Sequence, residues 1–553
     1  MILPVAQHWS ATSLCPRDPQ ARERYACAAI SQIPRLLGAV DRNPFHATYG
    51  CFDRQFWHYR TASFPSEMYQ EAVLPLALIY ATPLPGNRWH AEPRIKELAI
   101  AALRFTTHQS RRDGSCDDYY PYERALGAAV FSLQAAARAC QVLQVGDAEI
   151  VAWLKRRADW IECHEETGRL ANHHALAALG LARVGQITGD HAFMRTAQER
   201  LRLVLAWQSP EGWFEEYGGA DPGYQTVTID ALAKLRQLTG DARLDEPLRR
   251  AVGFSRLFLH PDASYGGEYG SRGTHHFYPH GFELLAADHA AAADLADGFL
   301  AALAAGKHAS FDDDRMFAHR LGNLMEAYLD WSPERPPVEE GGTQPPLRFL
   351  PQAGLVVQHD GDVCTVVSAA RGGIFKRFVP GERPLTDTGL IIETTDGRQA
   401  VSQVHDLRRD MVWQADRVLE VSGQLHWVDH ETATPLKQAT FHVVMCLIGR
   451  WCRTLVRRLL QRRLITGRRT CGVLHARRIA FDGTGGCEVI DHIKLLDDSL
   501  RIRRMAFASD LQAAYVAAAN VYQESVLQPW ADLSEHVDAL NNGRRVSIVR
   551  SLR

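Results

Sequence analysis

Lysine is nearly missing from this 553-residue chain: seven of its 62 basic side chains are Lys and the rest are Arg. The 62 bases are balanced by 64 acids, for a formal net charge of -2, so no global basic footprint points to nucleic acid. Cysteine is sparse and scattered. The eleven Cys form no CxxC pair, which argues against a zinc site or a disulfide framework and fits a reducing compartment. No run reaches the ~18 to 20 apolar residues of a transmembrane span. The opening MILPVAQHWSATSLCPRDPQ lacks the basic n-region and long apolar h-region of a signal peptide, so the expectation is a cytoplasmic protein. No nucleophile elbow, phosphate loop or dinucleotide fingerprint is present.

What is present divides into two periods. The chain is too long for one ordinary core, and two domains are expected. From about residue 20 to 331, apolar residues recur at three- and four-residue spacing, as in YERALGAAVFSLQAAARACQVL (122–143), HHALAALGLARVGQITG (173–189) and TVTIDALAKLRQLTG (226–240). Gly146-Asp147, Gly189-Asp190 and Gly240-Asp241 read as helix stops followed by helix starts. Ten to twelve helices fit, arranged as paired helices in a solenoid or a ring. WSPERPPVEEGGTQPP (331–346) reads as a linker. Beyond it the period falls to two, in AGLVVQH, VCTVVSA, GLIIETT, RVLEVSGQLHWV and RRIAFDG, which predicts an antiparallel sandwich. The expected domains are 1–335, a linker at 336–346, and 347–553. One segment breaks the strand pattern: MCLIGRWCRTLVRRLLQRRLITGRR predicts an Arg-rich amphipathic helix near 447–466, with no acidic residue. A helix packed on the sheet with a solvated Arg face is one reading of 450–463. Peripheral contact with an anionic inner membrane, or with an acidic glycan, is the other.

Four stretches of the helical half have the polar and aromatic content of cleft loops. DGSCDDYYPYERA (113–125) offers Asp117, Asp118, Tyr119, Tyr120, Glu123 and Arg124, and clustered Tyr beside charge suits sugar rings. ANHHALAALG (171–180) sets Asn172, His173 and His174 at the mouth of a helix. Asn172 can be an N-cap and nothing more; capping does not need the histidines. PEGWFEEYGGADPGYQT (210–226) carries Glu215, Glu216, Tyr217, Asp221 and Tyr224 in a Gly-rich loop. SYGGEYGSRGTHHFYPHGFELLA (264–286) carries Tyr265, Tyr269, Tyr278, Arg272, His275, His276 and His280, and Pro279 argues against a regular helix between the last two histidines. This inventory of Asn, His, Tyr and Arg suits proton abstraction beside a carboxylate. Asn, His and Arg neutralise a uronate carboxylate; a Tyr takes the C5 proton and returns one to the leaving O4. Its pKa of ~10 would have to be lowered by Arg or His⁺.

Here the chain resembles the heparinase II/III-like polysaccharide lyases, which include oligoalginate lyases. The resemblance implies an incomplete (α/α) toroid followed by an antiparallel β-sandwich, and β-elimination on uronic-acid polysaccharides. It rests on the architecture, on Asn172-His173 as the family's carboxylate-neutralising pair, and on Tyr224 in ADPGYQ as its catalytic Tyr, with Tyr217 as the substitute. The chain departs from the pattern in the sandwich. The family's HxHxD stretch corresponds to RGGIFKRFVPGERPLTDTGLIIE (371–393), which has Lys376 and Arg377 and no His; His405 follows in AVSQVHD. No metal or other cofactor is therefore expected, a structural divalent metal, as at His276 and His280, staying open as the alternative, and Arg272 and His280 are the candidates for cleft charge. The expected catalytic set is Tyr224, His173, Asn172 and His280. The expected substrate-binding set is Arg272, Tyr217, Tyr119, Tyr120, Glu123, Arg124, Tyr269, His276 and His405. The expected partner is an acidic polysaccharide or oligosaccharide, with a link to exopolysaccharide or capsule metabolism. Two alternatives stay open: a glycoside hydrolase using Asp117 or Asp118 with Asp221 or Glu216, and a non-catalytic glycan-binding protein of polysaccharide synthesis.

Overall fold

The computed structural model describes residues 18–336 apart from 167, 310, 312 and 313; 346–512 apart from 415–416, 429–433, 450, 452–454, 457–458 and 460–468; and 522–552. Its helices alternate between an inner and an outer layer. Val73–Ala81, Leu126–Leu143, Ala171–Thr188, Pro222–Thr239, His280–Leu285 and Phe317–Leu329 form the inner layer, each packed on the next, and the last comes back against the first. Pro93–Gln109, Ala148–Glu162, His191–Ala206, Asp245–Arg256, Ala290–Ala305 and Glu23–Ser31 back them from outside. The layering follows from sequence. Asp245–Arg256 buries one stripe, Leu248, Ala251, Val252, Phe254 and Ser255, as an outer helix should. Leu126–Leu143 is apolar nearly all round and rich in Ala, so it packs on every side. By length and composition that helix could cross a membrane; here it is buried in the ring.

The punctuation is largely as the sequence suggests. Gly189 and Gly240 are left-handed C-caps, and Asp147, Asp190 and Asp241 cap the starts that follow. Gly146 is the exception: Leu126–Leu143 ends on Gln144, itself left-handed at φ 55°.

Among the described residues the strands form two antiparallel sheets. The first has five strands in sequence order: β1 (Leu347–Leu350), β2 (Leu355–Asp360), β3 (Val363–Ser368), β4 (Ile374–Phe378) and β5 (Leu385–Asp387). The second has nine, among them β6 (Leu390–Thr394), β7 (Gln399–Val401), β8 (Asp410–Gln414), β9 (Val418–Val428), β10 (Thr470–Phe481) and β11 (Cys487–Leu495). The first sheet is the middle layer. Leu355, Val357, Cys364, Val366 and Phe378 join the core of the helical half, while Val356, Val367 and Phe375 pack on Leu419, Val421, Ile479 and Val489 of the second sheet. Side chains alternate along a strand, so a strand with two buried faces is apolar throughout; this is why VVQ and VCTVV lack a polar face. The fold is an (α/α) toroid followed by an antiparallel sandwich.

Two polar staples fix the sandwich to the toroid rim. The Glu211 carboxylate accepts from the backbone N–H of Gln352 (2.8 Å) and Ala353 (2.9 Å). Arg371, buried, donates to the carbonyls of Gly270 (2.7 Å), Ser271 (2.9 Å) and Gln403 (2.8 Å).

The segment between β9 and β10 begins as helix Pro435–Val444, capped by Thr434, and continues as the π-helical turn Met445–Gly449. It reaches the toroid, where Phe441 meets the Tyr120 ring at 5.3 Å. Arg450, Arg453, Arg457, Arg458, Arg462 and Arg463 of the expected basic face lie outside the described residues.

Candidate active site

Inner helices alternate with outer helices that run back, so inner N-termini converge on one rim. Two of them, Ala171–Thr188 and Pro222–Thr239, are joined there by the Gly-rich loop. Leu170 bridges Glu216, the Ala171 N–H donates to the Glu215 carbonyl (3.2 Å), and the Tyr217 N–H donates to the Arg169 carbonyl (3.1 Å). Asp221 caps the second helix by accepting from the Tyr224 N–H (3.0 Å), and its other oxygen accepts from the Arg272 N–H (2.9 Å). One carboxylate thus ties Tyr224 to the loop that carries Arg272. Gly219 and Gly223 permit the closeness: a β-carbon on Gly219 would lie 2.5 Å from the His405 ring, and one on Gly223 would strike the Thr274 hydroxyl.

Asn172 is not a cap. The N-cap is Leu170, and Asn172 sits inside the first turn with 0% exposure. Its amide faces the Glu216 carboxyl without a well-formed hydrogen bond among the described residues. Glu216 is itself buried, and burial pushes its pKa up to about 8, with Asn172 and Arg272 pulling the other way. At neutral pH this carboxyl is largely protonated. Arg272 lays its guanidinium over the Tyr217 ring, 4.2 Å from the centroid, and its charge acts on both Glu216 and Tyr224. The Arg272 Nε is buried with no hydrogen-bond partner among the described residues. A cation, a neutral acid and an amide lacking a good partner therefore lie together: a site short of an anion.

His173 is held by Glu166, Nδ1 to Oε2 at 3.0 Å, and its ring packs edge-on to Phe131. A donating Nδ1 fixes the tautomer and leaves Nε2 as the free end. Gly127 makes room for this ring; a β-carbon there would lie 2.7 Å from it. His174 points elsewhere, against Trp207 and Arg200, and burial beside that guanidinium lowers its pKa to about 4.

The Tyr224 phenol differs from expectation. A lowered pKa was required for a base, and Arg272 does pull it down, but burial dominates and holds it well above 10. The neighbouring His276 supplies no compensating charge. It is fully buried, Arg320 donates to its Nδ1, and burial with that guanidinium keeps it neutral. An unbroken series of ring contacts runs from Tyr224 through His276, Tyr278, His319 and Phe131 to His173.

Several expected residues are placed differently. Tyr269 is 1% exposed and its hydroxyl bonds His260 Nε2 at 2.9 Å, so it is core. His276 is interior as well. His280 is 2% exposed, with Nε2 on Asp330 at 2.7 Å and Nδ1 facing Asp230 and Glu326, in the buried ion network of Lys234. These three are taken up by partners inside the protein, because aromatic and imidazole groups at such density in the sequence are here used to fill the ring. Glu123 accepts from the Tyr119 N–H (2.7 Å) and Arg124 pairs with Asp113 (2.9 Å), which shapes their loop. Tyr119 is exposed under Arg315, and Tyr120 meets the 435–444 helix. The hydrolase candidates are similarly engaged: Asp117 holds Arg111 and two backbone N–H groups, Asp118 holds Ser66 and Arg315, and Asp221 is the cap. Sequence reasoning passed over Glu216 as a lyase residue and Glu166 altogether. The signal for Glu216 was its place between Asn172 and Tyr224 in the loop order.

Among the described residues no group of three His, Cys, Asp or Glu is gathered to hold an ion. Lys376 pairs with Glu268, and Arg377 bonds Thr365. In the sheet interior a guanidinium takes the place a cation would fill: Arg477 bridges Asp387 and Asp491, with His475 on Asp491.

No family model and no curated protein matches the sequence. Solved structures do. The chain is similar to a Streptomyces coelicolor A3 chondroitin AC lyase in complex with chondroitin sulphate (TM-score 0.53, 12% identity, 90% of this chain, 69% of that one). It is similar to a Paenibacillus xanthan lyase (TM-score 0.54, 12% identity), covering 89% of this chain but only 47% of that one. Heparinase III aligns over 97% of this chain and 86% of its own at TM-score 0.49 and 10% identity. The chain shares its toroid-plus-sandwich fold with the chondroitin AC and xanthan lyases.

Proposed function

We propose that the protein is a polysaccharide lyase that cleaves a uronic-acid polysaccharide or oligosaccharide by β-elimination. One observation carries the reading. Just behind the inner-helix rim the Asn172 amide, the neutral Glu216 carboxyl and the Arg272 guanidinium lie together, next to Tyr224. A uronate carboxylate supplies the anion this arrangement lacks. Asn172 and protonated Glu216 donate hydrogen bonds to it, Arg272 adds positive potential, and its α-proton at C5 becomes removable. Tyr224 is the proton-transfer group. Its ionised fraction, which Arg272 enlarges, takes the C5 proton; the C4–C5 double bond forms; the C4–O4 bond breaks; and the proton acquired by Tyr224 passes to the leaving O4. The acceptance of a second sugar ring falls to Tyr217 and His405, at the edge of the same loop.

The test is ultraviolet absorbance of the unsaturated uronate, followed over a panel of uronate polysaccharides. A rise that Tyr224→Phe abolishes, with circular dichroism unchanged, is the expected result. An active Tyr224→Phe enzyme removes Tyr224 from the mechanism. A flat trace across the panel with folded protein overturns the lyase reading in favour of a binding protein. Reducing ends released without absorbance would indicate a hydrolase.

A further inference from the structure

A cavity lies where the toroid meets the small sheet, and neither Asn172 nor Tyr224 lines it. It encloses about 390 Å³, within the ~300 to 1,000 Å³ of small-molecule sites. Three segments wall it: the loop after helix Asp245–Arg256, the turn after helix Ala290–Ala305, and β4 with the residues around 522–525. Its charge is mainly basic, from Lys307, Lys376 and Arg383. The single acid in the lining, Asp262, already accepts from the Ser264 N–H (3.0 Å) and hydroxyl (2.6 Å).

The polar atoms facing this space are under-used. Lys376 is 1% exposed and holds Glu268 Oε2 (3.3 Å) and Gln523 Oε1 (3.2 Å), which turns its ammonium to the lining with a donor to spare. Ser525 is 5% exposed and its hydroxyl has no partner among the described residues. The same holds for Gln523 Nε2 and for His308 Nδ1. Buried polar atoms of native proteins are overwhelmingly paired, and Ser525, Gln523 and His308 line one basic cavity where a polar, anionic occupant would pair them. Tyr522, 54% exposed, offers a ring at the mouth. Cations, hydroxyl-directed donors and an aromatic rim are the chemistry of an acidic sugar rather than of an isolated inorganic ion, which needs no ring and no amide.

We propose that this cavity binds an anionic monosaccharide unit, a uronate, as a recognition site separate from the reacting one. It takes from the proposed function only the acidic character of the substrate. It is wired to the candidate active site through Glu268, which holds Lys376 on one side and His275 (3.3 Å) on the other, the residue preceding His276 beside Tyr224.

The experiment uses the full chain carrying Asn172→Ala, which disables the reacting site, and titrates D-glucuronate, D-glucose and sulfate by calorimetry. Glucuronate is expected to bind, at least tenfold tighter than glucose or sulfate, and to lose at least tenfold on adding Arg383→Ala or Ser525→Ala. Both substitutions are at the lining, and circular dichroism checks that each variant is folded. Glucuronate binding unchanged by both variants, or equalled by sulfate, overturns the proposal, as does its absence from the Asn172→Ala protein. Lyase activity is read separately: Arg383-dependent glucuronate binding in a chain with no eliminase activity retains this site and discards only the catalytic reading.

Discussion

The Asn172 amide and the Glu216 carboxyl face one another behind the toroid rim, both shut off from solvent, and no well-formed hydrogen bond joins them among the described residues. A buried amide without a good partner costs ~1 to 3 kcal/mol. Its removal should therefore cost the fold little. Asn172→Ala is expected to change the unfolding free energy by less than ~1 kcal/mol, measured by urea titration, while elimination falls at least ~100-fold, the scale of a lost oxyanion donor. A large loss of stability together with intact activity would show that Asn172 is structural.

Glu216 makes the free energy of folding depend on pH. Its carboxyl is held up to about 8 in the folded chain, from an ordinary 4.5. Between those values the unfolded chain has lost the proton and the folded chain keeps it, so rising pH favours unfolding. The contribution is neutral below about pH 4.5, turns progressively unfavourable up to about pH 8, and is flat beyond. At roughly 1.4 kcal/mol per pKa unit the full effect is about 5 kcal/mol. Glu216→Gln removes it: denaturant midpoints compared at pH 5 and pH 9 should show a smaller fall for the variant than for the parent. Parallel profiles would mean that Glu216 is solvated.

Because burial keeps the Tyr224 phenol protonated while Glu216 must keep its proton to donate, the elimination rate should climb with pH through the neutral range and turn over as Glu216 ionises near 8. Arg272 is the charge that opposes burial at this phenol. Arg272→Ala should shift the whole profile to higher pH and lower kcat/KM at least ~100-fold at pH 7, and Arg272→Lys should recover part of it. A pH profile unmoved by Arg272→Ala, with only KM raised, would restrict Arg272 to holding substrate.

Much of this was legible in the sequence, and the reasons are physical. Periods of 3.6 and 2 separate the halves because side-chain direction is set by backbone geometry, and Gly189 and Gly240 announce helix ends because a left-handed residue is needed there. Gln144 was not legible as a stop, since a non-Gly residue is held left-handed by its surroundings. The same limit applies to the site. Asn172 and Tyr224 stand out by order and loop composition. Whether a Tyr or His lines a cleft or fills a core depends on which neighbour covers it, so Tyr269, His276 and His280 read the same in sequence as an exposed ring. The sign of the Tyr224 shift depends on burial against one guanidinium, and neither quantity is written locally.

Arg371 tests whether the sandwich positions the chemistry. It reaches from the small sheet to the carbonyls of Gly270 and Ser271, immediately before Arg272, and to that of Gln403, two residues before His405. His405 in turn rests on Gly219, so one buried guanidinium registers the Arg272 loop, the His405 segment and the Gly-rich loop against each other. Arg371→Ala leaves three carbonyls without their charged donor. Water can enter the space, so the expected loss of stability is about 3 kcal/mol rather than the sum of three buried, unpaired groups. The informative readout is kinetic. If the staple positions Arg272, kcat falls at least ~10-fold with the pH profile displaced in the same direction as in Arg272→Ala, because the guanidinium no longer sits where Tyr224 feels it. A variant that is merely less stable, with kcat and its pH dependence unchanged below the melting range, would show that the toroid alone sets the site and that the sandwich serves only as a cover.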